Sequence, residues 1–476
     1  MSIVRSPVQR ADGLSVGGNI SVARNSIYVA IFALLAAYFL AWPIWRSQYL
    51  IEIWLTEGWN AYFQDAAASG ARLYPEASSL TVNNYPPLSF YFIGLLGRIF
   101  GDNLFVGRML SLGGLVGVAV EIFLCARMLA GGRAGPMIGA LWYVAIMSHN
   151  SSAYVGANDP QLAGEAIMGA GLVLMLARDA AAKSVTPALL IMVVGGFWKH
   201  NMIGIPLTAV AWLFLNHGKK AIRPVSISAL AAGAGLLVCC AVFGKEFFDN
   251  LLVARDYGLS HVLGNIGHLQ WSAPALVIWA IWASTNSSAA ARFTMLHVPI
   301  GLFACILQWL GDAVFGNAEF DLIFALGIAI GVTFEDMQSS PFAQRFGTSI
   351  AQATMVAILI ARLVATDRHE PALILLDPDF RSHLLAREQS VRADADRVAA
   401  IPGRVYCDNK IVCRLAGKPF VVDDFKVEQM EATKAITASQ LDHLLQEGQI
   451  VRFKSSTASV GTIDTSIRRA WARRER

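Results

Sequence analysis

The sequence has little charge. Only 15% of its 476 residues are Asp, Glu, Lys or Arg, whereas soluble proteins usually carry about 25%. Hydrophobic residues make up 55%, and the mean hydropathy is +0.49. A chain this apolar is excluded from the soluble class, so its composition predicts an integral membrane protein. The net charge is only +4, and the basic residues lie between apolar segments or near the C-terminus, which gives no indication of a nucleic-acid partner.

Cysteine is also scarce, and the spacing of its residues excludes a zinc-binding pattern. Four of the cysteines fall within apolar segments, where they are most simply small hydrophobic residues. These four are Cys125, Cys239, Cys240 and Cys305. Cys407 and Cys413 lie on neighbouring runs predicted as strands, so in an oxidising compartment they form either a disulfide or two free thiols.

The apolar segments have the length that crosses a membrane, for which about 20 residues are needed. The first run, Ser26–Trp45, has no small-residue cleavage site of a signal peptide. Further spans are predicted at 103–126, 134–150, 160–177, 187–198, 201–216, 224–243, 271–286, 293–310, 320–334 and 346–364. Tyr85–Phe100 begins at Pro86-Pro87 and has about 16 residues, which favours a helix at the membrane interface. The sequence therefore predicts a polytopic α-helical membrane protein with about eleven transmembrane helices.

The basic residues indicate which side of the membrane each loop faces. With a cytoplasmic N-terminus, twelve Lys and Arg fall in the inner segments and six in the longer outer loops that precede residue 365. Counting Tyr85–Phe100 as a span would place Arg127 and Arg133 outside, which again favours the interfacial position. The predicted divisions are a cytoplasmic tail 1–25, a membrane domain 26–364 with a first outer loop 46–102, and an extracytoplasmic domain 365–476, in a bacterial inner membrane.

The composition changes abruptly after residue 365, where charged residues become frequent. Helices are predicted at about 384–400 and 438–447, and strands at 404–406, 410–415, 420–422 and 450–453. We call residues 365–476 the C-terminal segment. Its pattern predicts a small α/β unit.

Glu57 is the most prominent of the few acidic residues near the predicted outer surface. A carboxylate that persists close to hydrocarbon is a functional candidate because its burial is costly. Gly58 after it would allow a ligand to approach the backbone closely. The alternative is that Glu57 only stabilises the start of a helix over 58–69.

Several short motifs follow one another in a fixed order. They are TEGWNAYFQDAAASGARLYP, YPPLSFYFIGLLGRIFG, FVGRMLSLGGLVGVAVEIFLCARMLAGGRAG, GANDP and GGFWKHNMIGIPL. Over about residues 26–220, and more weakly through GDAVFGNAEFD, this order resembles the GT-C superfamily of polyprenyl-phosphate-sugar-dependent glycosyltransferases. Within that superfamily it is most similar to the protein mannosyltransferase and lipid A aminoarabinose transferase branch. The resemblance implies a cell-envelope enzyme that moves a sugar from a polyprenyl-phosphate donor to a lipid, glycan or protein on the outer face.

The resemblance also implies roles for individual residues. Glu57 matches an acidic residue that acts as general base or orients the acceptor, although the preceding residue here is Thr56. Arg108 and Lys199 match cations placed at the donor phosphate, which suits a reaction that builds negative charge there. Asp159 matches a position that in some members binds a divalent metal such as Mg²⁺ or Mn²⁺. Further candidates for contacts to donor or acceptor are Asp65, Tyr85, His200 and Asn201.

Each of these assignments has a structural alternative. Arg108 can anchor a helix end by snorkelling, Asp159 before Pro160 suits a helix N-terminus, and Lys199 can be an ordinary loop charge. The amphipathic loop 244–270 can border the donor's access path or lie in the interface.

A different class of function is a transporter or flippase of a lipid or small solute. Such proteins have a similar number of spans, but commonly show internal repeats and interrupted helices. No second copy of the TEG or YPP motifs is present in the sequence, which favours the glycosyltransferase. A catalytically inactive relative that serves in assembly is a third reading. The sequence does not predict the oligomeric state.

Overall fold

The computed structural model of the protein describes residues 16–365 and 369–456, and most of them are helical. The first fifteen residues of the predicted cytoplasmic tail, residues 366–368 and residues 457–476 lie outside this description. The helices up to residue 364 are α1 (Val16–Arg46), α2 (Glu57–Ser69), α3 (Leu88–Phe100), α4 (Asn103–Ala130), α5 (Ala134–Asn150), α6 (Gln161–Ala180), α7 (Thr186–Trp198), α8 (Gly204–His217), α9 (Ile222–Phe243), α10 (Glu246–Leu251), α11 (Leu259–Asn265), α12 (Ala273–Ala283), α13 (Ala289–Trp309), α14 (Phe320–Glu335), α15 (Pro341–Phe346) and α16 (Thr348–Val364). The C-terminal segment contains α17 (Glu370–Leu376), α18 (Pro378–Ala400), β1 (Arg404–Cys407), α19 (Lys410–Leu415), α20 (Asp424–Ala432), α21 (Ala438–Glu447) and β2 (Ile450–Phe453).

Every predicted span coincides with a helix. Six helical stretches are long and apolar enough to cross a membrane: Ser21–Arg46, Asn103–Ala130, Gln161–Ala180, Gly204–Phe243, Ala289–Trp309 and Gly316–Glu335. The stretch Gly204–Phe243 contains two predicted spans, since α8 and α9 are joined within it. The other predicted spans coincide with the shorter helices α5, α7, α12 and α16, so the number of eleven spans stays a prediction. The prediction of a polytopic helical membrane protein is confirmed.

The helix α14 forms the centre of the helical bundle. All its residues from Phe320 to Phe334 are buried, as expected for a helix that is apolar on every side. It approaches α5 closely through glycine, because a Cβ added at Gly139 would lie 2.2 Å from the carbonyl oxygen of Gly327. Small residues at helix contacts allow this close packing in membrane proteins.

The first loop contains two helices, at the two places where the sequence suggested them. The α2 helix begins at Glu57, and it ends at Gly70, whose positive φ of 74° lets its N–H bond to carbonyls of the last turn. The α3 helix follows Pro86-Pro87 and buries one apolar side, with Phe90 and Ile93, while Ile99 is exposed. Two apolar sides of this kind suit the helix predicted to lie at the membrane interface.

The C-terminal segment is an α/β unit, but part of its prediction is wrong. The strands β1 and β2 pair in parallel, with Arg404 opposite Ile450, and α21 begins and ends where a helix was predicted. Residues 410–415, predicted as a strand, form α19, because the side chain of Asn409 accepts the N–H of Ile411 and starts a helix. Residues 420–422 belong to no strand. A helix that was not predicted, α20, begins after Asp423, which caps it.

The alternative left open for the two C-terminal cysteines is decided by the structure. Cys407 at the end of β1 and Cys413 on α19 form a disulfide.

The C-terminal segment packs directly on the first loop. Arg414 on α19 donates hydrogen bonds to Asp65 of α2 at 2.7 and 3.1 Å and to Asn103 at 2.8 Å. At the other end of the contact, a Cβ added at Gly58 would lie 2.5 Å from the Cβ of Lys410. Gly58 therefore lets α19 approach α2. The sequence suggested that Gly58 would let a ligand approach the backbone, but in the structure α19 occupies that place.

Candidate active site

Glu57 is completely buried and its carboxylate is fully hydrogen-bonded. Oε1 accepts the Nε–H of Arg108 and the backbone N–H of Asn158, both at 2.8 Å. Oε2 accepts the Nη2–H of Arg108 and the backbone N–H of Ile53, both also at 2.8 Å. A carboxylate offers about four acceptor positions, so none remains free. The charge at the first residue of α2 also suits the helix N-terminus.

Arg108 is equally committed to protein groups. Beyond its pair with Glu57, it donates to the carbonyl oxygens of Ser47 at 3.2 Å, Tyr49 at 2.6 Å and Ile51 at 2.6 Å. These contacts tie the chain between α1 and α2 to the start of α4. The roles predicted for this pair, general base and phosphate ligand, stay predictions, and both require the pair to open.

A second buried ion pair joins Asp159 to Lys199. Their side chains are each 2% exposed, and the Nζ–Oδ1 distance is 2.9 Å. Oδ1 also accepts the N–H of Gln161 at 2.8 Å, so Asp159 supports the start of α6 as the structural alternative expected. Oδ2 is less engaged, since its hydrogen bond from the Thr56 hydroxyl is 3.5 Å long. Burial would lower the pKa of Lys199, but Asp159 and Tyr85 outweigh this effect and raise the pKa, so the ammonium group is charged.

Tyr85 lies beside this pair, and the ring of His200 lies next to Tyr85. The Nζ of Lys199 lies 3.2 Å from the Tyr85 hydroxyl and 4.3 Å from its ring centroid. Burial lowers the pKa of His200 to about 4, and the charges of Lys199 and Arg255 act in the same direction. Nevertheless, a substantial part of His200 is solvent-accessible. His200 is thus the accessible member of a group whose other members include the buried Lys199 and Asp159. We call the group of Tyr85, Asp159, Lys199, His200 and Arg255 the Lys199 recess.

Arg255 is a member of this group that the sequence analysis did not select. There it counts only as one of the basic residues of the outer loops. Burial raises the pKa of Tyr85, and the positive charges of Lys199 and Arg255 oppose that shift. Arg255 therefore lies within electrostatic range of both Tyr85 and His200. Its guanidinium carbon is 4.9 Å from the ring centroid of Phe425 in the C-terminal segment. The sequence signal was its place in the amphipathic loop 244–270, for which a donor access path was one reading.

Two other candidates lie outside the recess. Asp65 is held by Arg414 and Asn103, so it belongs to the contact between the first loop and the C-terminal segment. Asn201 follows His200, but its Nδ2–H donates to Oε1 of Gln308 on α13 at 2.9 Å. The structure thus brings together Tyr85, Asp159, Lys199 and His200 from the predicted set.

The surroundings of Asp159 do not fit the metal suggested for this position. Its carboxylate is paired with an ammonium group. Within residues 16–365 and 369–456, no three His, Cys, Asp or Glu side chains form a group that could hold a metal ion. We therefore assign no step to a metal.

Glu52 is a buried carboxylate at the contact with the C-terminal segment. It is 6% exposed, and burial raises its pKa to about 8, while the charge of Lys410 opposes part of that shift. Lys410 forms an ion pair with Asp424. The backbone on both sides of Glu52 is fixed, because the carbonyl of Ile51 accepts from Arg108 and the N–H of Ile53 donates to Glu57. The buried Glu57–Arg108 pair thus also sets where Glu52 meets the C-terminal segment.

The fold and this geometry define a class: a polytopic helical membrane protein with buried ion pairs beside its loops and a C-terminal α/β unit. Two crystal structures share the fold, both of ArnT from Cupriavidus metallidurans, which is a lipid A aminoarabinose transferase and GT-C glycosyltransferase. The structure bound to undecaprenyl phosphate has a TM-score of 0.52 at 15% identity, and the apo structure has 0.52 at 16%. Each comparison covers 96% of this chain and 95% of the other.

The likeness establishes the shared fold, and it confirms the fold that the GT-C resemblance implied. No protein-family model and no curated protein matches the sequence.

Proposed function

We propose that the protein is a glycosyltransferase that takes a sugar from a polyprenyl-phosphate donor and transfers it to a lipid, glycan or protein acceptor. The observation that carries this proposal is the Lys199 recess within an ArnT-like fold that covers 96% of the chain. One of the ArnT structures is bound to undecaprenyl phosphate, which supports a lipid phosphate as the ligand here. Placement of the recess on the outer face of a bacterial inner membrane is part of the proposal.

The recess supplies cations for the leaving group. In the transfer, the acceptor's hydroxyl oxygen bonds to the anomeric carbon of the sugar, and the bond from that carbon to the phosphate oxygen breaks. The phosphate leaves with the electron pair, so negative charge accumulates on it and nearby cations lower the barrier. Lys199 is buried and charged, and the guanidinium of Arg255 contacts an aromatic ring. Both are therefore proposed to bind the phosphate.

The proton of the acceptor needs a carboxylate as general base. The resemblance assigns this role to Glu57, which would have to release Arg108 during the reaction because all its acceptor positions are occupied. Asp159 offers Oδ2, whose one contact to Thr56 is long at 3.5 Å. Within the proposal, Glu57 is the base if the pair opens, and Asp159 is the base if it stays closed.

The test is transfer by the purified protein in nanodiscs, supplied with polyprenyl-phosphate sugars and envelope lipid acceptors, with products detected by mass spectrometry. Removing one donor that stabilises the negative charge of a transition state typically costs about 100- to 1,000-fold in rate, and we expect a loss of this size for Lys199→Met. The control is Lys220→Met, because Lys220 is exposed and lies at the end of the bundle away from the recess.

The same assay separates the two carboxylates. Transfer that is lost in folded Asp159→Asn but kept in folded Glu57→Gln identifies Asp159 as the base, and the reverse result identifies Glu57. A wild-type protein that transfers no sugar from any polyprenyl-phosphate donor contradicts the proposed function. So does a Lys199→Met variant with full activity.

A further inference from the structure

One helix of the C-terminal segment, α20, reaches the loops around the recess. Asp423, which caps it, accepts the Nε1–H of Trp59 in the first loop at 2.9 Å. Farther along the helix, Gln429 accepts the backbone N–H of Asp256 at 2.8 Å and donates to Oδ2 of Asp312 at 2.9 Å. The helix therefore contacts the first loop, the loop 244–270 and the connection between α13 and α14. Phe425, between these two contacts, faces Arg255.

The backbone next to Arg255 is fixed by hydrogen bonds. The N–H of Asp312 donates to the carbonyl of Asp256 at 2.9 Å, and the N–H of Gly258 donates to the carbonyl of Leu310 at 2.9 Å. Gly311 leaves room for the Arg255 side chain, since a Cβ added there would lie 2.8 Å from its Cδ. The backbone that carries Arg255 is thus hydrogen-bonded to the connection between α13 and α14, and this contact directs the Arg255 side chain.

The guanidinium of Arg255, by contrast, is held by an aromatic ring. Its Cζ lies 4.9 Å from the centroid of Phe425, and no residue in the described ranges accepts a hydrogen bond from it. An acidic partner would fix the group equally well, but it would neutralise the charge and occupy the N–H donors, as Glu57 does for Arg108. A ring contact orients the cation and leaves the N–H donors at its edge available for a phosphate.

We propose that Phe425 is a positioning residue, which holds Arg255 over the Lys199 recess so that its guanidinium binds the phosphate of the donor. The C-terminal segment is then part of the substrate site, because its helix α20 carries Phe425. This inference rests on the proposed function, because it assigns Arg255 to the donor phosphate.

The test measures the affinity of the full-length protein in nanodiscs for undecaprenyl phosphate, and the KM and kcat for the sugar donor. Phe425→Leu keeps an apolar side chain but removes the ring, whereas Phe425→Tyr keeps the ring. We expect Phe425→Leu to weaken binding and raise KM by about 2- to 30-fold, with a smaller change in kcat. Phe425→Tyr should behave like the wild type.

The matched control is Phe453→Leu. The ring of Phe453 lies 5.6 Å from the guanidinium of Arg397, in a pair of the same kind within the C-terminal segment, whose members are on β2 and α18. Its loss should leave affinity and KM unchanged. An equal effect of Phe453→Leu would show that any disturbance of the C-terminal segment weakens binding, and would overturn the positioning role of Phe425.

A double-mutant cycle with Arg255→Met distinguishes positioning from general packing. If Phe425 acts through Arg255, Phe425→Leu weakens binding in the wild type but adds nothing in the Arg255→Met background. Equal losses in both backgrounds, or full affinity in Arg255→Met, overturn the inference. Full affinity in Phe425→Leu overturns the inference and leaves the proposed function intact. A wild-type protein that neither binds undecaprenyl phosphate nor transfers sugar overturns both.

Discussion

Two buried ion pairs at the start of α2 and the end of α7 have different chemical capacities. Glu57 and Arg108 satisfy each other and the surrounding backbone completely. Lys199 is shared between Asp159 and Tyr85, and the second carboxylate oxygen of Asp159 has only one long contact, to Thr56 at 3.5 Å. A pair whose donors and acceptors are all used by protein stabilises structure, whereas a pair with a weakly used oxygen has capacity left for a ligand. This difference supports the proposal that Lys199 and its neighbours bind the phosphate.

The Glu57–Arg108 pair predicts a large loss of stability when one partner is neutralised. Removing one member of a buried pair leaves the other charge without compensation, which typically costs about 3–5 kcal/mol. We expect this cost for Glu57→Gln, measured as the free energy of unfolding in mixed micelles. The exposed pair of Arg72 and Glu76, at 2.6 Å with side chains 61% and 64% exposed, is the control. Glu76→Gln should change stability by less than about 1 kcal/mol. Equal stability of the two variants would contradict the structural role of Glu57.

At the scale of elements, α19 and α20 decide how the C-terminal segment meets the loops. The α19 helix lies on α2 where Gly58 has no side chain, and α20 lies across three loops. Neither helix was predicted. The apolar and polar residues of 410–415 fit a strand as well as a helix, and it is the Asn409 side chain that starts the helix. Short segments of this kind are decided by capping and by packing, which periodicity does not encode.

Replacing Gly58 with Ala should separate α19 from α2. The new methyl group would lie 2.5 Å from the Cβ of Lys410 and 2.8 Å from the backbone nitrogen of Ile411, so the C-terminal segment must shift. Overpacking of this kind costs about 1–3 kcal/mol. We expect lower thermal stability and faster proteolysis within the C-terminal segment.

Gly113 on α4 provides the comparison, because a Cβ added there meets nothing within 4 Å. Gly113→Ala should be neutral, or stabilising by up to about 1 kcal/mol through helix propensity. If Gly58→Ala digests and unfolds like Gly113→Ala, the two helices do not pack as closely as described.

For the whole molecule, the recess, the first loop and the C-terminal segment all lie at one end of the helical bundle. We propose that this end is extracytoplasmic, as the distribution of basic residues predicts. Ser260→Cys on α11 should then react with a membrane-impermeant maleimide in intact cells. Ser287→Cys, before α13 at the opposite end, should react only after permeabilisation. Both serines are exposed, so accessibility within the protein is matched. The reverse pattern would contradict the proposed orientation.

The sequence by itself determined the helical membrane fold and, to within a few residues, where most of its apolar helices lie, because apolar length is a local property that the hydrocarbon thickness selects. It also singled out Tyr85, Asp159, Lys199 and His200, which the structure brings together. The tertiary structure alone decided what those groups touch. Glu57 pairs with Arg108 from another helix, Asp65 is taken up by Arg414, and Arg255 meets Phe425. Such contacts depend on which distant segments of the chain lie next to each other after folding. The sequence shows a carboxylate or a cation but does not show whether its partner is a protein group or a substrate.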